Sequence, residues 1–310
     1  MQGAGVPPEA EEQAAHYYEQ GDYERARVVF KMLIECFDDY AEGYNYLGLI
    51  AYEERGLEEA LAYFEKTVEL GRRLFPKRIA KSRYWSDHET RPYMRGLRNS
   101  VLALNELSRF DEALTLCDRL ENECGDDLTA AAFRGSIYLN TGRWQLAADA
   151  ATRLHKVWAS EGFIAGFALF ELGEHQDAAG MFLLAALNYP RAAKMLLGMR
   201  TRQPKSYDEA RDHNAGASDL RGLHRFLKQQ SRRSKKFFRD FVRHPRTDAL
   251  LTEVMEVVVR WHAQHPTGER EAFDRMQLMH TPEFARNEAR TIMSEIRGTN
   301  VQNEARAAQA

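Results

Sequence analysis

The stretch Gly162–Pro190, GFIAGFALFELGEHQDAAGMFLLAALNYP, decides the fold. Its first half carries Ala165, Gly166, Leu169 and Phe170 at helical spacing. Gly173 and a polar break follow, and a second run places Ala178, Phe182 and Ala185 on one face before Pro190 stops it. This pattern reads as a helix, a tight turn and an antiparallel helix. Gly166, Ala178 and Ala185 are small enough for two backbones to approach, while Leu169 and Phe182 fill the seam between them. A hairpin this short cannot bury its apolar face alone, so it requires copies stacked beside it.

Four earlier segments repeat the turn: Gly21-Asp22-Tyr23-Glu24-Arg25-Ala26, Gly56-Leu57-Glu58-Glu59-Ala60, Ser108-Arg109-Phe110-Asp111-Glu112-Ala113 and Gly142-Arg143-Trp144-Gln145-Leu146-Ala147. The anchor alanines fall at 26, 60, 113, 147 and 178, with steps of 34, 53, 34 and 31. A period of 34 belongs to the tetratricopeptide repeat, and residues 7–190 resemble that family. Tyr44, Leu47, Gly48, Ala60 and Phe64 match its signature in the second copy, as do Gly166, Ala178, Phe182, Ala185 and Pro190 in the fifth. The first copy departs from it with Gln13 and Ala14 in place of Leu-Gly, and the third with Cys117 in place of a large residue. The resemblance implies an all-α, right-handed superhelix (an α-solenoid) of five hairpins over residues 7–200. A C-terminal helical module over 201–297 would cap it, between flexible tails at 1–6 and 298–310.

The 53-residue step exceeds the period by 19, which places a basic, aromatic insert at about 75–93, FPKRIAKSRYWSDHETRPY. Ser86-Asp-His-Glu89 within it has the form of a capping box, and Pro92 suits a first helical turn. The segment Trp85–Arg95, containing ETRPYMR, and Asn188–Gly198, NYPRAAKMLLG, resemble a group of bacterial tetratricopeptide-repeat proteins without an established activity. Beyond Pro190, Ser206-Tyr-Asp-Glu209 reads as a second capping box and His213–Ser218 as a loop. Helices are expected over Leu220–Val242, Thr247–His265, Glu269–Met279 and Pro282–Ile296, the last capped by Thr281.

Of the 310 residues, 44% are hydrophobic and 29% charged, as in a folded, soluble protein. No 18-residue apolar run is present, so no membrane partner is expected. The N-terminal MQGAGVPPEAEEQ has no apolar signal core. Cys36, Cys117 and Cys124 have neither disulfide nor zinc spacing and read as buried thiols of a cytoplasmic protein. Charge is uneven: residues 1–190 hold 20 Lys and Arg against 31 Asp and Glu, a net of −11, whereas 191–310 hold 23 against 15, a net of +8. Such asymmetry implies two functional halves or two halves that attract.

In a curved stack of hairpins the first helices line the inner wall, the default binding surface. By register Asn45, Tyr52, Arg95, Arg98, Asn105, Phe163, Phe167 and Phe170 lie there. Arg95 and Arg98 suit an acidic partner segment, unless they are an ordinary solvated face. Asn45 and Asn105 suit a peptide backbone. Phe163, Phe167 and Phe170 form an apolar stripe that either takes a partner helix or is covered by the chain's own helices from 220–265. Some family members clamp a C-terminal carboxylate with a fixed Lys/Asn set. Here Glu11, Ala15, Asn45 and Leu49 occupy the relevant places, so that activity does not carry over.

Arg221–Arg246 holds ten Lys and Arg and one acid, Asp240, peaking at Arg232, Arg233, Lys235 and Lys236 among Phe226, Phe237, Phe238 and Phe241. This composition suits phosphate binding with base stacking, or a helix with its rings in the core. Lys77, Arg78, Lys81 and Arg83 of the insert are candidates to extend the patch. His262 and His265 share a helical spacing but lack companions for a metal site. No GxSxG, HExxH or phosphate-cradling Gly-rich loop occurs. The expected function is therefore non-catalytic protein–protein interaction as an adaptor or scaffold, without a cofactor. The alternatives are a nucleic-acid-associated factor and an enzyme with its site in the C-terminal module.

Overall fold

The structure, a computed structural model, describes residues 5–307 apart from 157, 159, 206, 230–231 and 263–268. Among the described residues it has seventeen α-helices and no strand. The chain divides into two compact units, Met1–Phe133 and Arg134–Ala310. The first holds α1 (Pro8–Glu19), α2 (Tyr23–Cys36), α3 (Ala41–Glu53), α4 (Leu57–Arg73), α5 (Arg91–Leu107) and α6 (Phe110–Asp118). The division falls within α7 (Asp127–Asn140). The second unit continues with α8 (Trp144–Leu154), α9 (Glu161–Glu171), α10 (His175–Asn188), α11 (Pro190–Leu196) and α12 (Tyr207–Asn214). It ends with α13 (Arg221–Gln229), α14 (Arg232–Val242), α15 (Pro245–His262), α16 (Glu269–Met279) and α17 (Pro282–Ala307).

One turn recurs five times. Gly21, Arg55, Ser108, Gly142 and Gly173 are left-handed, with φ between 67° and 86°. The residues that follow, Asp22, Gly56, Arg109, Arg143 and Glu174, share φ of −80° to −87° and ψ of 56° to 69°. Each of these donates its backbone N–H to the carbonyl five residues back, at 2.9 Å in all five cases. This is the Schellman closure of one helix run directly into the N-cap of the next. The anchor alanines 26, 60, 113, 147 and 178 then donate the first i→i−4 bond of each second helix and are all fully buried. In the second copy the left-handed residue is Arg55, and Gly56 is the N-cap.

The small residues bring the paired helices together. A Cβ on Gly48 would lie 2.5 Å from the Phe64 ring, and one on Gly166 would lie 2.5 Å from the Phe182 ring. The same Gly–Phe contact thus joins α3 to α4 and α9 to α10, the two pairs whose sequences match best.

Several local expectations are corrected. Ser86–Glu89 caps no helix: the Ser86 hydroxyl donates to the Arg83 carbonyl, and α5 begins at Arg91, with Pro92 in its first turn. His213–Ser218 is not a loop, because α12 runs to Asn214 and a wide π-helical turn covers Ala215–Asp219. Within that turn Gly216 lies close against α11, where a Cβ would be 2.9 Å from the Ala192 Cα. The single helix expected over Leu220–Val242 is two, α13 and α14. Cys36 is exposed at the end of α2, whereas Cys117 and Cys124 are buried, and burial pushes the Cys124 thiol up to about 12. The Thr281 cap is present, its hydroxyl accepting from Phe284 N–H at 3.2 Å. Helix α17 continues to Ala307. Ser206 and His265 lie outside the described residues.

Candidate functional site

In the first unit the facing first helices α3 and α5 are joined by a polar ladder. Arg95 Nη1 donates to Glu42 Oε1 at 2.7 Å, and Asn99 Nδ2 donates to Asn45 Oδ1 at 2.9 Å. Tyr52 Oη donates to Glu106, which also pairs with Arg55 at 2.6 Å. An offset of 53 or 54 residues sets the register, and by it Leu49 falls opposite Leu102 or Ala103. Asn45, Tyr52 and Asn105 are buried, at 3%, 6% and 4% exposure. Asn45 accepts from Asn99 and donates to Glu42, so its side chain is engaged between the two helices, and Asn105 is buried on α5. Burial pushes the Glu42 carboxyl up, while the Arg95 guanidinium and the Asn45 amide pull it back. Arg98 is exposed, with no acidic partner among the described residues. Asn99 and Glu106 were not read as wall residues; their signal is the offset they share with Asn45 and Tyr52.

The insert closes onto the same unit. Phe75 packs edge-on against Tyr84 and Tyr93, with ring centroids 5.0 and 5.1 Å apart, and Arg72 lies 4.5 Å above the Phe75 ring. Lys81 Nζ donates to the Asn122 carbonyl at 2.6 Å, and Trp85 Nε1 donates to Asp126 Oδ2 at 2.7 Å. Lys77, Arg78 and Arg83 remain exposed.

In the second unit the apolar stripe is covered, which corrects its reading as a slot for a partner helix. Phe163 and Phe167 are fully buried. Phe238 lies 5.9 Å from Phe163 and 5.2 Å from Phe167, while Phe226 lies 5.3 Å from Phe167. Phe170 is half-buried, its ring 4.8 Å from Phe237 and stacked 4.6 Å from His175. Helices α13 and α14 therefore supply the rings that pack on α9. The same packing withdraws Phe226, Phe238 and Phe241 from base stacking. The exposed side of α14 shows Arg232, Arg233, Lys236 and Arg239 to solvent, with Lys235 half-buried and Arg243 exposed just past the helix end. Lys236 pairs with Asp240 at 2.5 Å.

A cleft of about 280 Å³ opens in this unit among His155, Glu174, Asp177, Met181, Pro282 and Arg286. Among the described residues no three His, Cys, Asp or Glu side chains come together as a metal-binding group. Nor is any described helix long and apolar enough to cross a membrane. No family model and no curated protein matches the chain.

Proposed function

We propose that the chain is a tetratricopeptide-type α-solenoid that works as a non-catalytic protein-interaction scaffold, taking an acidic peptide or helix on the α3–α5 wall. Five turns with one set of dihedrals and one hydrogen-bond pattern support the repeat reading, since stacked repeats reuse one local unit. The observation that carries the binding reading is Arg98: exposed and without an acidic partner among the described residues, one turn from Arg95 and one turn from Leu102. Leu49 and Leu102 are half-buried beside it. That combination offers a partner a forked hydrogen-bond donor next to apolar area. Arg95 joins by exchanging Glu42, a carboxylate that burial already disfavours.

The test is affinity capture from the cell that makes the protein, comparing wild type with Arg98→Glu. Arg98 is exposed, so this variant keeps its melting temperature. It should lose a partner that the wild type retains, and adding about 0.5 M salt should weaken that capture in the wild type. An identical set of captured proteins places the binding surface elsewhere.

A further inference from the structure

The second unit presents a surface that the wall of the first unit does not need. At ~100° per residue, Arg232, Lys236 and Arg239 fall within an arc of ~60° on α14, and Arg243 is exposed just past the end of that helix. Ser234, Phe238, Phe241 and Val242, all buried, hold the opposite side of that helix against the core. From Arg232 to Arg239 the stripe is about 10 Å long at ~1.5 Å per residue. Arg232, Arg239 and Arg243 have no acidic partner among the described residues, and only Lys236 is paired. Lys228 of α13 and Arg233 of α14 are exposed cations as well.

We infer that this stripe binds the phosphodiester backbone of a nucleic-acid duplex, without reading its sequence. Three observations select that partner. The exposed face of α14 is wholly polar or charged, whereas a protein interface needs an apolar or aromatic centre depleted of lysine. Interfaces with nucleic acid are much more positively charged. Second, no large apolar side chain on that face is available to enter a lipid headgroup region. Third, of the four phenylalanines of α13 and α14 three are fully buried in the core, and Phe237 is half-buried against Phe170, so these rings offer single strands no stacking platform. Arginine forks match phosphate oxygens. A rigid stripe of this length runs beside several phosphates of one strand, which recur every ~3.4 Å of duplex axis. The inference is independent of the partner proposed for the first unit.

Fluorescence anisotropy of a labelled DNA duplex of about 20 base pairs tests it on the full chain. Three arginine contacts give a log–log salt slope of about −2.7, a roughly 40-fold loss of affinity between about 50 and 200 mM salt. Arg239→Gln should reduce that slope by about one. The triple variant R232E/R239E/R243E should lose measurable binding with an unchanged circular dichroism spectrum, because all three side chains are exposed. Two unrelated duplexes should bind within a factor of about three, and a single strand of equal length more weakly. The inference is overturned if the triple variant binds as the wild type does. It is equally overturned if one duplex is preferred by more than tenfold, or if only anionic vesicles or polyglutamate retain the chain.

Discussion

At the scale of single residues, two glycines separate the two reasons why a repeat needs them. Gly173 sits at φ 86°, and a methyl group placed on it would meet nothing within 4 Å, so its constraint is backbone conformation alone. Gly173→Ala should therefore cost about 1 kcal/mol, the penalty of left-handed backbone for an L-residue. Gly166 lies within an ordinary helix, but a methyl there meets the Phe182 ring at 2.5 Å. Gly166→Ala should cost about 1–3 kcal/mol through overpacking. Paired urea titrations decide the matter. A larger loss at Gly173 than at Gly166 would mean that turns, not helix contacts, dominate the hairpin. The turn glycines Gly21, Gly142 and Gly173 were legible because each obeys a local rule: glycine before a polar N-cap, alanine five residues on. The second copy shows where such reading slips. Gly56 looks like the counterpart of Gly21, yet Arg55 takes the left-handed place, its side chain held by Glu106. Glycine alone marks the turn; only the hydrogen-bond register fixes which residue turns.

At the scale of elements, what went unread is what tertiary contact imposes. Ser86–Glu89 has the composition of a helix start, but Thr90 Oγ1 donates to the Tyr84 carbonyl at 2.7 Å and folds that segment into the insert instead. Likewise His213–Ser218 has loop composition, yet it is helical, with Gly216 packed close against α11. The junction of α11 and α12 also carries a pH prediction. Asp212 is buried and accepts from the Arg191 and Ala192 N–H groups at 2.7 and 2.9 Å, capping α11 from a distance. Burial nevertheless pushes its carboxyl up to about 6, against the pull of those N–H donors and the Arg191 guanidinium. A raised folded-state value means the protonated form is favoured in the fold. The stabilisation is complete below the ordinary carboxylate value of about 3.9 and is lost as pH rises through about 6. His280 acts in the opposite sense: burial lowers it, so its contribution is present above about 6.5 and lost as pH falls. Asp212→Asn mimics the neutral form and should remove the first dependence while leaving the second. Melting temperatures of the two proteins, followed from about pH 4 to pH 7, should converge or cross in favour of the variant as pH rises. Parallel profiles would show that Asp212 does not titrate in this window.

At the scale of the whole molecule, charge and packing divide the chain alike. Residues 1–133 hold 16 Lys and Arg against 26 Asp and Glu, and residues 134–310 hold 27 against 20, so the units carry −10 and +7. The asymmetry was visible in the sequence, and so was the choice between an open stripe of phenylalanines and a covered one. Which of the two holds was not visible, because it depends on rings more than fifty residues apart, Phe163 and Phe167 against Phe226 and Phe238. Their meeting predicts how stability is distributed. Phe238 is fully buried and touches Phe163, Phe167 and Phe182, so Phe238→Ala should cost about 3–5 kcal/mol. Where helices depend mainly on nearest-neighbour contacts the loss stays near the deletion. Hydrogen exchange of the variant should accelerate in α9, α10 and α14, and the uncovered rings should bind a hydrophobic dye. Amides of α2 to α5 should keep their wild-type protection, because their own Gly48–Phe64 and Gly71–Tyr93 contacts are untouched. Equal acceleration from α1 through α17 would instead make the chain one cooperative body, and the helical hairpins would then owe their stability to the whole rather than to their neighbours.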